Sequence, residues 1–288
     1  MTLVELVVAQ SERLKRAGVS FGHGTGNAFD EAAWLVTWAI GQPLDALDTR
    51  GQRDVSAGDV AKAEALVARR IETRQPAAYL TGEAWLQNVP FTIDARAIVP
   101  RSYIAELLAD GEETGTLDAW LSDRTRRVLD LCTGNGSLAV IAAMAYPEIA
   151  VDAADISPEA LALARINVAR HGLEGRIRVI ESDLFAALPE RYDLILCNPP
   201  YVAADAKTGP GVAEYEPAEA LFAGRDGLDD YRRLAPEVGR LLARGGLAAI
   251  EIGFDQAESA SSLFERAGHT PELAVDLGNR PRALLIKS

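Results

Sequence analysis

Apolar positions divide the chain into two stretches of different period. Up to about residue 75 they recur at helical spacing: Leu3, Leu6, Val7, Leu14 and Ala17 form one stripe, and Val60, Ala63, Val67 and Ile71 form another. Between the stripes, Asp30 is placed as the N-cap of a helix over 31–40 that Gly41 and Pro43 close. From Arg127 onward short apolar runs alternate with helical segments. The runs 128–132, 150–156, 177–180, 194–197 and 247–252 read as strands, and two more follow near 272–277 and 283–287. Helices are predicted over 137–146, from Ser157 to Gly172, near 229–242 and over 256–266. Ser157-Pro158-Glu159 supplies an N-cap, a proline at the first helical position and an acidic first turn. Strands alternating with helices in this way build an α/β fold, a doubly wound and mostly parallel seven-stranded sheet.

Between the two stretches the period changes. Trp85-Leu86 and 91–93 flank Asn88-Val89-Pro90, which predicts a β-hairpin. Pro100-Arg101-Ser102 then leads into a short helix with Ile104, Leu107 and Leu108 on one face, and the polar tract 111–127 is the lead-in to the sheet. The expected organisation is a helical substrate-recognition domain over 1–78, a hairpin and linker over 79–123, and a catalytic domain over 124–288. The glycine-rich loop 21–26 lacks the Lys-Ser/Thr of a phosphate loop and follows no strand, so it reads as a helix connection, with His23 a minor candidate for function.

Composition narrows the partners. A chain of 288 residues with 48% hydrophobic content can build two unequal cores. Its formal charge of −13 opposes binding nucleic acid through its own surface and suits a basic partner; no direct DNA binding is expected. Glu5 stands where a signal peptide would carry Lys or Arg, and no apolar run approaches the ~18 residues of a membrane span, so a soluble, cytoplasmic protein is expected. Cys132 and Cys197 have no metal-ligand spacing, and both read as small buried hydrophobes; no metal is expected.

The chemistry concentrates at strand ends. The run 192–197 drives into Asn198-Pro199-Pro200-Tyr201, a stiff loop at the carboxyl edge of the sheet, where α/β folds bind ligands. It offers the Asn198 amide oxygen and the Pro199 carbonyl with the Tyr201 ring beside them, which suits a planar NH2 group. The first strand turns through Thr133-Gly134-Asn135-Gly136, and Asp155 ends the second, where it can accept from ribose hydroxyls. Taken literally, Gly134-x-Gly136-x-x-Ala139 also satisfies a dinucleotide fingerprint. Asp130 inside the first strand end, Asp183 at the end of the third placed for an adenine amino group, and the loop 198–201 on the fourth point instead to a cationic adenosyl ligand.

At these residues the chain resembles the class I methyltransferases that use S-adenosylmethionine. Asp130-Leu131-Cys132-Thr133-Gly134-Asn135-Gly136 is similar to their glycine motif, Asp155 to their ribose carboxylate, 182–185 to their adenine-side motif and 198–201 to their amino-group motif. More closely, it resembles the protein-glutamine methyltransferases with a helical N-terminal domain. The segments 21–25, 79–85 and Val99-Pro100-Arg101-Ser102 are similar to the branch that modifies the third large-subunit ribosomal protein. A sister branch modifies the GGQ glutamine of peptide release factors, and there the last segment usually continues differently. Tyr103 stands where the ribosomal-protein branch usually has proline, and 278–282 lacks its glycine-rich ending. The resemblance implies S-adenosyl-L-methionine as cofactor and S-adenosyl-L-homocysteine as product. The pocket would be formed by Asp130, Cys132, Thr133, Gly134, Asn135, Gly136, Asp155, Asp183, Leu184 and Asn198, with Asn198, Pro199, Pro200 and Tyr201 on the acceptor. The rival readings are an adenine-amino nucleic-acid methyltransferase, a nicotinamide-dependent dehydrogenase and a non-catalytic adenosyl-binding module. The acidic charge opposes the first, and the intact 198–201 loop is unexplained by the other two.

Overall fold

A computed structural model describes residues 1–288 except 23, 110–116, 118–120, 122–124, 189–190 and 208–211. His23 and most of the tract 111–127 therefore lie outside the described residues. The chain forms two compact units, one of Met1–Ala84, Ile93–Ala95 and Thr208–Tyr215, the other of Trp85–Thr92, Arg96–Lys207 and Glu216–Ser288.

The first unit is helical: α1 (Leu3–Arg16), α2 (Ala28–Ala39), α3 (Ala46–Arg50), α4 (Ala57–Thr73) and α5 (Ala77–Thr81). Leu6, Val7 and Leu14 of α1 and Val67 of α4 are wholly buried, as the stripes predict, and so is Leu35 of α2. The start of α2 differs from expectation. Asn27, not Asp30, is its N-cap: Asn27 Oδ1 accepts from the N–H groups of Phe29 and Asp30 at 2.9 and 3.0 Å. Asp30 falls in the first turn, where a carboxylate still favours the helix dipole. A buried ion pair, Arg70 Nε to Glu31 Oε1 at 2.9 Å, joins α4 to α2. Arg70 also donates to the Ser20 carbonyl, and Thr25 donates to Glu31, so the 21–26 connection is anchored at both ends.

The chain leaves this unit through a hairpin, β1 (Glu83–Leu86) and β2 (Val89–Thr92). Its turn is Gln87-Asn88, one residue earlier than the prolyl turn predicted. Both have positive φ, 49° and 60°, the geometry of a two-residue turn whose twist matches its strands.

The second unit continues through α6 (Tyr103–Leu108), β3 (Arg127–Leu131), α7 (Ser137–Ala145), β4 (Ala150–Asp155), α8 (Pro158–Arg170), β5 (Ile177–Glu181) and β6 (Tyr192–Cys197). After α9 (Val212–Tyr215), which belongs to the first unit, come α10 (Asp229–Leu234), α11 (Val238–Leu241), β7 (Leu242–Glu251), α12 (Ala257–Arg266), β8 (Glu272–Val275) and β9 (Pro281–Lys287). The expected helix over 229–242 is thus two, broken at Pro236, which has no N–H to donate and whose ring obstructs the preceding turn. The sheet order is β5-β4-β3-β6-β7-β9-β8. Strands β3 to β7 pair in parallel, and β9 runs antiparallel to β7. Leu194 to Cys197 of β6 are at most 1% exposed, which is why the run carries no alternation.

Candidate active site

Strands β3 and β6 are direct neighbours, with Leu131 opposite Cys197. The glycine turn after β3 and the Asn198 loop after β6 therefore rise side by side at the carboxyl edge. A cavity of about 350 Å³ opens there, lined among others by Cys132, Gly134, Asp155, Leu184, Asn198 and Pro200. A smaller adjoining one, about 40 Å³, is lined among others by Thr133, Asn135, Arg101 and Ser102 and shares Cys132, Gly134 and Asn198.

The two glycines of the turn serve different ends. Gly134 has φ of 55° and open space where a Cβ would project, so the backbone is bare toward the cavity. A Cβ on Gly136 would instead meet Ala164 Cβ at 3.1 Å, and its φ is 82°, so the close packing of α7 on α8 and the backbone conformation both favour glycine there. Asp130 lies beneath the turn and is wholly buried. Its Oδ2 accepts from Thr133 Oγ1 at 2.5 Å and from the Ala139 N–H at 2.9 Å, while Oδ1 has no partner among the described residues. Burial pushes its carboxyl up to about 7. Asn135 Nδ2 is likewise buried without a partner among the described residues. Cys132, with φ of 59°, faces Cys197; that contact and burial push its thiol well up.

Asp155 holds the turn in place: Oδ2 accepts from the Gly134 N–H at 2.9 Å and Oδ1 from the Ser157 N–H at 3.0 Å. Each oxygen keeps a lone pair for a ligand hydroxyl. Asp183 is exposed, and its Oδ1 is paired with Arg233 at 2.6 Å, a partner invisible in the sequence. Leu184 has φ of 47°, and Ser182 Oγ donates to the Leu184 carbonyl, which fixes this corner at the cavity wall.

On β6, Asn198 Nδ2 donates to the main-chain carbonyl of Arg101 at 3.2 Å. The carbonyl can only accept, so the NH2 faces Arg101 and Oδ1 is left as an acceptor on the other side. Pro199 is buried and Pro200 lines the cavity. Tyr201 is half-buried against the core beneath the loop, and burial raises its hydroxyl pKa. Its carbonyl accepts from Gln256 Nε2 at 2.9 Å. Gly227 packs so closely behind it that a Cβ would stand 2.4 Å from the Tyr201 oxygen.

Sequence reasoning missed the groups that support this loop: Arg101 and Glu216, Glu251, Gln256, and the wall residues Pro217 and Phe222. Arg101 was named only within the Val99–Ser102 segment, with no supporting role, and Glu216-Pro217, a carboxylate before a proline in a polar loop, left a local trace. Around the cavity the ionisable lining is Asp155, Asp183, Glu219 and Asp230 against Arg96 and Arg233, the last already paired to Asp183. Such an acid-rich wall fits a cationic adenosyl sulfonium and opposes a pyrophosphate. Among the described residues no cluster of His, Cys, Asp or Glu could hold a metal ion, and no helix is long and apolar enough to cross a membrane.

A sheet of this order, with a glycine turn, a carboxylate on the second strand and an acceptor loop on the fourth, defines a class I methyltransferase. A methyltransferase from Pyrococcus furiosus shares the fold at a TM-score of 0.51, with 14% identity over 79% of this chain and 98% of that one. The family described as Methyltransferase small domain matches residues 114–215, and the PrmC N-terminal domain matches residues 5–82. Among curated relatives, the ribosomal protein uL3 glutamine methyltransferase of Burkholderia pseudomallei is 42% identical over 89% of this chain and 85% of its own length. That of Bordetella pertussis is 44% identical over 88% and 85%. The chain belongs to the family of ribosomal protein uL3 glutamine methyltransferases.

Proposed function

We propose that this protein methylates the side-chain amide nitrogen of a glutamine in ribosomal protein uL3, with S-adenosyl-L-methionine as donor and S-adenosyl-L-homocysteine as product. The observation that carries the reading is the Asn198 amide at the cavity wall, its NH2 tied to Arg101 and its oxygen left to accept. The Cys132–Gly136 turn, Asp155 on the ribose hydroxyls, and Asp183 with Leu184 on the adenine side would hold the cofactor. When bound, it supplies a methyl group activated by attachment to a positively charged sulfur.

A glutamine amide nitrogen is a poor nucleophile because its lone pair is delocalised into its carbonyl. Asn198 Oδ1 and the Pro199 carbonyl accept its two N–H bonds, pin the nitrogen and present its face to the methyl group. As positive charge grows on that nitrogen its N–H groups become stronger donors, so the same two acceptors stabilise the transition state more than the ground state. Proton loss to water afterwards completes the reaction.

The charge of −13 supports a basic acceptor such as a ribosomal protein, because complementary fields raise the encounter rate. The glutamine must protrude to enter the cavity, which favours free or partly assembled uL3 in the cytoplasm. Purified uL3 and a peptide release factor are offered separately with labelled cofactor, and the modified residue is mapped by mass spectrometry. One methyl group on a uL3 glutamine is expected. Label in the release factor alone overturns the partner, and label in DNA alone overturns the chemistry.

A further inference from the structure

The carbonyl that orients Asn198 sits in a segment gripped on both sides by buried carboxylates. On one side Glu216, 4% exposed, receives the Val99 N–H at 3.2 Å and both ends of the Arg101 guanidinium, Nη1 to Oε1 and Nη2 to Oε2, each at 2.6 Å. Paired contacts of this kind fix the angle of the guanidinium as well as its distance. On the other side Glu251, 6% exposed, receives the Ser102 hydroxyl and the Tyr103 N–H, the latter at 3.0 Å. Glu251 ends β7, whose Ile250 is opposite Cys197, so the grip sits one strand over from the Asn198 loop. A proline at 103 would have no N–H to offer; Tyr103 both donates it and sends its own hydroxyl to the Val275 carbonyl. Along the chain the Arg101 carbonyl falls between the groups held by Glu216 and those held by Glu251, and it accepts from Asn198 Nδ2. Burying carboxylates is costly unless they are paired and hydrogen-bonded, and burial pushes the Glu251 carboxyl up to about 7.

We propose that Arg101 is a positioning residue whose pairing with Glu216, backed by Glu251, holds its carbonyl where it fixes the side-chain amide of Asn198 in the orientation that accepts from the substrate. Without that carbonyl the Asn198 amide can turn over and present N–H groups to a substrate that is itself an N–H donor. This rests on the glutamine-methylation reading for its catalytic consequence but not for the geometry.

Two measurements on the full chain separate them. In ¹⁵N-labelled protein, Glu216→Gln should shift the Asn198 side-chain amide proton upfield and speed its exchange, with or without any acceptor substrate. In turnover on uL3, Glu216→Gln should fall roughly 10- to 100-fold while the cofactor dissociation constant stays within about twofold, since a misplaced acceptor costs rate and not cofactor binding. In the Asn198→Ala background, where there is no amide to orient, the same change should alter the residual rate less than about twofold. Equal fold-losses in both backgrounds, or an unmoved amide resonance, would overturn the proposal. Should Glu216→Gln not fold, Arg101→Lys, which keeps the charge but loses the paired contact, is read in the same way. A moved resonance in a protein that labels no glutamine would instead spare the positioning and overturn the function.

Discussion

Asp155 Oδ2 accepts the Gly134 N–H at 2.9 Å, so the carboxylate expected to hold the ribose also holds the glycine turn. Asp155→Ala should therefore do two kinds of harm: hydroxyls left without acceptors, worth about 1 to 3 kcal/mol of cofactor binding, and a loosened turn. Calorimetric titration of S-adenosylmethionine should show both as a weaker dissociation constant, with Asp155→Asn intermediate because one oxygen remains. Unchanged affinity in Asp155→Ala would put the cofactor elsewhere.

Asn198→Ala should abolish most turnover and leave cofactor affinity nearly intact, because in the proposed mechanism the amide holds the acceptor. The loss of one acceptor at the reacting nitrogen should cost ~10²-fold or more, by analogy with loss of an oxyanion donor. Single-turnover rates on uL3 check it, and a wild-type rate would refute the amide clamp.

Gly227→Ala should destabilise the protein and slow it together. The residue has φ of 72°, and a Cβ would meet the Tyr201 oxygen at 2.4 Å and Gln256 Nε2 at 2.8 Å. The positive φ alone costs about 1 kcal/mol in a residue with a side chain, and the main chain of the 198–201 loop must also move. Urea denaturation and turnover should fall in parallel; a loss of stability with full activity would show that the loop is not held from this side.

The pH dependence of stability should carry the mark of Glu251. Burial raises its carboxyl from 4.5 to about 7 in the folded protein. Its contribution to stability is therefore fully present below pH about 4.5 and is lost as pH rises through about 7, where the folded state must carry the charge. Relative to Glu251→Gln, which keeps an acceptor for Ser102 and Tyr103, the wild type should lose on the order of 3 kcal/mol between pH 4.5 and 8. Parallel stability curves for the two would show that the acid is already ionised when buried.

The sequence by itself determined the sheet and the groups at its carboxyl edge, because both rest on short-range chemistry. Apolar runs such as Leu194–Cys197 have no helical or alternating period, and a strand buried on both faces is what such a run can form. Glycines, prolines and capping side chains act within a few residues of themselves, so the turn at 133–136, the start of α8 at Ser157 and the stiff loop at 198–201 were legible. Where two local signals competed, the sequence misplaced a boundary: Asn27 and Asp30 can both cap α2, and their side chains decide only in three dimensions. What tertiary structure alone decided is which polar groups meet. Arg101 and Glu216 are 115 positions apart and Ser102 and Glu251 are 149 apart, and although the segment holding Arg101 and Ser102 stood out in the sequence, the carboxylates they meet did not. Gly136 was legible as a glycine of the turn, but its tight approach to Ala164, like that of Gly227 to the Tyr201 carbonyl, comes from neighbours brought together by helix and loop packing. Asn198 could be singled out from its prolines; the direction its amide faces could not, because that depends on a carbonyl nearly a hundred residues earlier in the chain, across the carboxyl edge of the sheet.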